Sequence, residues 1–507
     1  MGVPKLWEIL GPAAETKSLL NLATMEGFQS NNRGLRTLII GVDISIKINA
    51  IIAALQAAGV FTHGRAGEKL VLQKLFYHFC QLLLAPLTVV FFFDGPGRPP
   101  IKRGTRVIHR PTWLIQQLKA MITAFGFFFY EAPGEAEAEL AQLNNNGEID
   151  AIITEDGDAF LFGARCVIRT LGSSVQHSSL IFTSESIENS VSLDKCGLLL
   201  YALLLGGDYG PGLTGAGVTV AHALAAEGFG EELTDILIST DGIERQGRLA
   251  VWRERLRHEL QTNSSGRLAK RQFKLADTIS ESFPDVQVAE LYLNPLTSRS
   301  PGFTGPMPTT QVWRPREPSI VQLSAFCSAQ FDWHGDELLK KLNSQLWPGV
   351  IFRMISSPLV LHDPTVNRFT SPSTNAHILK KFLVHKHKPA FEDSAGLELY
   401  RVRMSTVNFI QLASLEDVAQ TAEADIKLVS IPKAILVVAM RDPSSSFTKI
   451  SHTPSMSPKS DSEDNQMSNN FDTDMAVMDD IDSEGKALAR AYLSMAKDEV
   501  IDLTWDF

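Results

Sequence analysis

The chain has 507 residues, enough for two or three domains, and its 44% apolar content supports a large core. A formal charge of −10 excludes a uniformly basic nucleic-acid coat. Its four scattered cysteines (Cys80, Cys166, Cys196 and Cys327) form no CxxC pair and no zinc spacing, which fits a reducing, intracellular compartment. The charge is segregated along the chain. Residues 1–130 carry 14 Lys/Arg against 6 Asp/Glu, residues 131–235 carry 3 against 17, and residues 244–274 carry 9 against 3. An acidic block between two basic ones fits a metal site flanked by polyanion-binding surfaces. No signal peptide is expected, because the first ten residues include Lys5 and Glu8 and lack a long apolar run. A myristoylation reading of Gly2 fails because Leu6 stands where Ser or Thr is wanted. The most apolar run, 79–93, contains Gln81 and Pro86 and is too short to span a bilayer, so no membrane partner is expected.

In chain order, Leu6, Trp7, Ile9 and Leu10 predict a short amphipathic helix ending at Gly11-Pro12. Residues 38–42 then form an apolar strand that stops at Asp43, and helices are expected over 44–58 and 70–84. A second buried strand over 88–93 stops at Asp94. Five cations follow within 13 residues: Arg98, Lys102, Arg103, Arg106 and Arg110. Beside the acids, this flexible segment could grip phosphates.

Residues 132–158 hold the densest chemistry. Glu135 and Glu137 open an expected helix for which Pro133 suits the first turn. A short strand over 150–154 leads to Asp156 and Asp158. Alone, each acid has an ordinary reading: Asp43 as a helix N-cap, Asp94-Gly95-Pro96 as a turn, EAEAE as a solvated helix face. Three strands in phase, each ending in an acid, instead describe a parallel α/β sheet with its site along that edge. Carboxylates gathered there repel one another unless a cation sits among them, and hard oxygen ligands suit Mg²⁺ or Mn²⁺ rather than zinc.

A helix is expected over 191–205. Gly-rich turns then bracket Asp208, and Gly212, Gly215 and Gly217 lead into a helix near Thr219. Amides freed there can bind phosphate without reading sequence, and no GK[ST] follows to make a P-loop. Residues 229–274 read as helical with a basic second half, 291–318 as an extended crossing, 319–354 as helix again, and 377–404 as two strand candidates. Residues 455–484 carry 9 acids against Lys459 alone, and disorder is expected there.

MGVPKLWEIL, GVDIS, FFFDG, APGEAEAEL, TEDGDAFLFG and GGDYGPGLTGAG stand in the order seen in the XPG-type structure-specific 5′ nucleases, which the chain resembles over residues 1–290. The resemblance implies a parallel sheet flanked by helices (a PIN-like core) with a helix–two-turn–helix, then a smaller mixed domain and a disordered tail. It implies two divalent cations, Mg²⁺ with Mn²⁺ able to substitute, on Asp43, Asp94, Glu135, Glu137, Asp156, Asp158 and Asp208, and K⁺ at the two-turn motif. Two such cations about 4 Å apart supply an attacking hydroxide and stabilise the leaving oxygen. Lys102 and Arg103 are the expected catalytic cations at the scissile phosphate. Gly2, Arg106, Gly212, Gly215 and Gly217 are expected at the DNA.

Within the family, a short 94–135 segment, no QxxLxxFF-like clamp-binding tail and a chromodomain-like pattern after residue 360 favour the GEN-like Holliday-junction resolvase branch over the replicative flap endonucleases. Lys47 replaces a more usual apolar residue, and Val218-Thr219 lacks a lysine often found in the two-turn motif. The domains expected are an N-terminal nuclease block (1–95), a basic arch (96–130), an internal nuclease block (131–290), a helical extension (291–354), a small β-containing module (355–440) and an acidic tail (441–507). The resemblance implies a nuclear enzyme cutting branched DNA, with dimerisation on a four-way junction. A branched-DNA binding protein with an inactive core is the rival reading, and a phosphatase or kinase of another α/β fold lacks a nucleotide loop or nucleophile motif. In the tail, Thr453-Pro454 and Ser457-Pro458 fit proline-directed phosphorylation, and residues 500–503 (Val500 to Leu503) beside Asp498-Glu499 resemble a SUMO-interacting strand.

Overall fold

The computed structural model describes residues 2–358, apart from 32, 61–63, 100, 103–104, 107–112, 171, 173 and 309–311. Beyond these it describes 361–363, 368–370, 384–386, 397–405 and 426–440. The expectations for Arg103, Arg110, the acidic tail, its kinase sites and the SUMO-like strand lie outside the described residues.

Seven strands form the central sheet: β1 (Glu15–Ser18), β2 (Leu38–Asp43), β3 (Leu87–Phe93), β4 (Phe128–Glu131), β5 (Ala151–Ile153), β6 (Cys166–Thr170) and β7 (Ser178–Thr183). Their order is β1-β7-β6-β5-β2-β3-β4. The pairings β6–β5, β5–β2, β2–β3 and β3–β4 are parallel, and β7 and β1 close one edge antiparallel. Every residue of β2 and β3 is buried, because helices cover both faces. Alternate side chains feed two cores. Ile40, Val42, Val89 and Phe91 point into one, beside the helices Ile44–Ala57 and Gly64–Leu82. Ile39, Val90, Phe92 and Ile152 point into the other, beside the helices Ala136–Asn145 and Lys195–Leu205.

Three expectations about local structure need correction. Pro133 is not in the first helical turn: the helix starts at Ala136, and the Pro133 and Gly134 carbonyls accept hydrogen bonds from the Gly97 and Gly95 amides. The helix expected over 191–205 starts only at Lys195 and runs to Leu205, because Val191 ends a separate helix, Ser184–Val191. Ser192 takes a left-handed φ of 58°, and Asp194 caps the second helix by accepting from the Gly197 amide. Residues 229–274 likewise break into Gly230–Ser239, Gly242–Thr262 and Phe273–Thr278.

Beyond the crossing at 294–318, the helices Ile320–Phe331 and Trp347–Ser356 pack into the first core. Val384–Lys386, Leu399–Ser405 and Ile426–Pro432 form a three-stranded antiparallel sheet, followed by the helix Lys433–Ala439, which packs on Trp347–Ser356. No helix among the described residues is long and apolar enough to cross a membrane.

Candidate active site

The sheet delivers its acids to one edge. Asp43 is the last residue of β2 and caps the following helix, accepting from the Ser45 amide at 2.7 Å. Asp94 follows β3 directly and accepts from the Ala136 amide at 3.0 Å, which ties it to the start of the helix Ala136–Asn145. Glu135 is the N-cap residue of that helix, in extended conformation, and Glu137 lies in its first turn. Residues i and i+2 of a helix do not share a face, but an N-cap residue is not yet bound by helical geometry, so both carboxylates reach the same centre. Asp156 and Asp158 follow β5, and the Asp156 carboxylate accepts from the Asp158 amide. Asp208 arrives from the turn after Leu205. Six of the seven acids are buried, and Asp94 is half-buried.

Burial and mutual repulsion set the electrostatics. Burial, then the neighbouring Asp94, pushes the Asp43 carboxyl up to about 8. Burial, then Asp156, holds both Glu137 and Asp158 well above the usual carboxylate range, and burial raises Asp156. Two side-chain cations partly relieve the cluster. Arg98 contacts Asp94 at 2.7 Å. Lys102 reaches Glu135 at 2.6 Å and Asp208 at 3.3 Å. Burial alone would push the Lys102 ammonium down, but Glu135, Glu137 and Asp208 outweigh it and keep the group charged.

The hairpin Ile101–Lys102/Thr105–Arg106 is what delivers Lys102. The basic segment is therefore not simply an exposed loop: its lysine inserts among the acids. Arg106 lies on the second strand of that hairpin.

Whether the cluster suits a cation follows from its donors. They are all carboxyl oxygens, and Glu137 Oε1 is buried without a hydrogen-bond partner. That is the donor chemistry of Mg²⁺ or Mn²⁺. Among the described residues, no three Asp, Glu, His or Cys side chains already stand in an arrangement that holds a metal ion. The pairing of Lys102 and Arg98 with three of the acids is a physical reason.

Several supporting residues escaped the sequence reading. Tyr209 donates to Glu135, and the Tyr292 hydroxyl lies 3.4 Å from Asp158 Oδ2. Tyr209 directly follows Asp208 and was discoverable. Tyr292 carries no local signal. The N-terminal segment packs on the same acids: the Val3 amide donates to Asp158 at 2.9 Å. Gly2 has a φ of +81°, and a Cβ there would collide with the Asp156 and Asp158 carboxylates. Gly2 thus sits on the acids.

The three turn glycines do different jobs. Gly212 has a φ of +78°, and its α-carbon crosses the Leu205-Gly206 backbone too closely for a side chain. Gly215 takes a φ of +91°. Gly217 caps the helix Val218–Leu224 in extended conformation, with open space around it.

The XPG I-region family profile matches residues 126–208. The DNA excision repair protein ERCC-5 homolog of Xenopus laevis is 29% identical over 234 residues, covering 44% of this chain and 18% of that protein. Flap endonuclease GEN homolog 1 of Homo sapiens is 30% identical over 240 residues, covering 43% of this chain and 24% of that protein. The chain thus spans a quarter or less of these curated relatives' length. The crystal structure of the Holliday junction-resolving enzyme GEN1 in complex with product DNA and Mg²⁺ superposes with a TM-score of 0.63 at 27% identity, covering 86% of this chain and 96% of that one.

Proposed function

We propose that the chain is a member of the XPG-type structure-specific nuclease superfamily, a divalent-metal-dependent endonuclease that cuts branched DNA, four-way junctions and 5′ flaps included. The observation that carries this reading is the gathering of seven carboxylates, six of them buried, at the carboxyl edge of the parallel strands. Asp43, Asp94 and Glu135 or Glu137 would hold one ion, and Asp156, Asp158 and Asp208 the other. When bound, two divalent cations supply a hydroxide nucleophile and stabilise the leaving oxygen. Mg²⁺ is the proposed ion, with Mn²⁺ as substitute.

The chain's own groups do the positioning. Lys102 moves from the acids to the scissile phosphate and neutralises it, with Arg103 beside it. Tyr209 and Tyr292 orient Glu135 and Asp158. Gly2 and Arg106 border the DNA path. The turn at Gly212, Gly215 and Gly217 holds the duplex backbone through amides and a K⁺ ion. The products carry a 5′-phosphate and a 3′-hydroxyl. Dimerisation on a four-way junction, a chromodomain-like role for residues 355–440, SUMO contact through 500–503 and a nuclear location complete the reading.

The test is substitution of single acids. Asp43→Ala and Asp156→Ala should keep affinity for a four-way junction and lose Mg²⁺-dependent cleavage. Retained cutting with lost binding would contradict the assignment.

A further inference from the structure

EAEAE contains a third glutamate that the proposed metal centre does not use. Glu139 is fully buried, yet it is satisfied from a distant part of the chain. Its carboxylate accepts from the Ser298 amide at 2.7 Å and from the Ser298 hydroxyl at 2.5 Å. Ser298 is itself buried. It belongs to the crossing that follows the helix Val286–Leu293, beyond the stretch that carries the seven acids.

That crossing is a built strap. The Thr297 amide donates to the Ser300 hydroxyl at 2.9 Å, and the same hydroxyl donates to the Pro295 carbonyl at 3.2 Å. Arg299 reaches Glu148 at 2.5 Å. A second anchor lies further on, where the Tyr130 hydroxyl donates to the Pro306 carbonyl at 2.8 Å.

The strap lies on the turns that position two acids. Leu296 covers two glycines: a Cβ on Gly134 would lie 2.6 Å from the Leu296 carbonyl oxygen, and one on Gly97 would overlap the Leu296 side chain. Those glycines sit in the two turns that carry Glu135 and Asp94. The turns are laced together by the Gly95 amide on the Gly134 carbonyl at 2.8 Å and the Gly97 amide on the Pro133 carbonyl at 2.9 Å. Both turns lack side chains where Leu296 presses on them, so the strap packs directly against their backbones.

We propose that Glu139 and Ser298 are positioning residues: their paired hydrogen bonds clamp the 294–300 strap over the Asp94 and Glu135 turns and thereby fix the spacing of the metal-binding acids. The clamp rests on the nuclease reading above, because it acts through that reading's acids. Glu139 touches neither substrate nor metal. It works as outer-shell partners of metal ligands do, whose loss costs about 10–100-fold in metal affinity or activity.

The experiment uses the full chain. Mn²⁺ affinity is read by electron paramagnetic resonance, and single-turnover cleavage of a four-way junction is read alongside it. The variants are Glu139→Leu, Glu139→Gln and Leu296→Ala. Leu296 is 43% exposed, so its truncation leaves folding intact should Glu139→Leu fail to fold. Glu139→Leu and Leu296→Ala are expected to weaken Mn²⁺ binding and slow cleavage about tenfold each. Glutamine can accept from the Ser298 amide and donate to its hydroxyl, so Glu139→Gln should stay within about twofold of wild type on both readouts. Wild-type Mn²⁺ affinity in Leu296→Ala overturns the clamp and leaves the nuclease reading standing. So does a Glu139→Gln protein as impaired as Glu139→Leu. A wild-type protein that neither binds Mn²⁺ nor cuts overturns the nuclease reading and the clamp with it.

Discussion

The Lys102 ammonium lies 2.6 Å from the Glu135 carboxylate, inside a centre that has collected seven acids from five separate parts of the chain. A lysine there is a tethered counter-ion. It balances part of the charge of the acids, and in the proposed reaction it would turn to the scissile phosphate. Lys102→Ala should therefore slow single-turnover cleavage by roughly 100-fold, the scale of losing one preorganised charged donor. Equilibrium affinity for a junction should change far less. An unchanged cleavage rate would remove Lys102 from the phosphate.

Repulsion among the acids predicts a pH dependence of stability. Folding raises the carboxyls of Asp43, Glu137, Asp156 and Asp158 above their ordinary values, Asp43 to about 8. Below the unfolded values both states are protonated and these groups cost nothing. As pH rises through the window, the unfolded state gives up protons first, so stability falls and the loss is complete above the folded values. In chelator, the melting temperature should drop as pH rises from about 4 to about 8, and saturating Mg²⁺ should flatten the slope. A chelator profile that rises over that interval would contradict the account.

Glu137 should behave as a functional liability. Its Oε1 is buried and unpartnered. Glu137→Gln removes a buried ionisable group whose ionisation folding opposes, so it should raise the melting temperature in chelator while abolishing cleavage. A variant less stable than wild type in chelator would mean that Glu137 is paired in solution.

The turn glycines separate conformational need from open space. Gly212→Ala would put a methyl into the Leu205-Gly206 backbone at a φ of +78° and should destroy duplex binding. Gly217→Ala meets nothing and has an ordinary φ, so its melting temperature should match wild type. Equal duplex affinity of Gly212→Ala and wild type would break the proposed link between turn geometry and DNA.

The acids were legible in the sequence because buried parallel strands read as apolar runs, and runs that stop at an acid mark the sheet's functional edge. β2 and β3 ended within a residue of expectation at Asp43 and Phe93. β6 and β7 were invisible because both carry polar residues, as in Cys166–Thr170, so neither reads as an apolar run that stops at an acid. Pro133 misled because proline often opens a helix, yet here the Ala132-Pro133-Gly134 backbone is used to pair the Asp94 turn. Lys102 in the cluster, Tyr292 on Asp158 and Ser298 on Glu139 are tertiary facts. The last two bridge 134 and 159 residues, and no local pattern encodes them.

The most direct measurement of the central claim compares four-way junction, 5′ flap and linear duplex as substrates for the intact chain in Mg²⁺, with Asp43→Ala as control. The account predicts incision of the junction and the flap, leaving 5′-phosphate ends, with the linear duplex and the Asp43→Ala reactions uncut. Equal cutting of linear and branched DNA, or no cutting of any of them in Mg²⁺ or Mn²⁺, would contradict it.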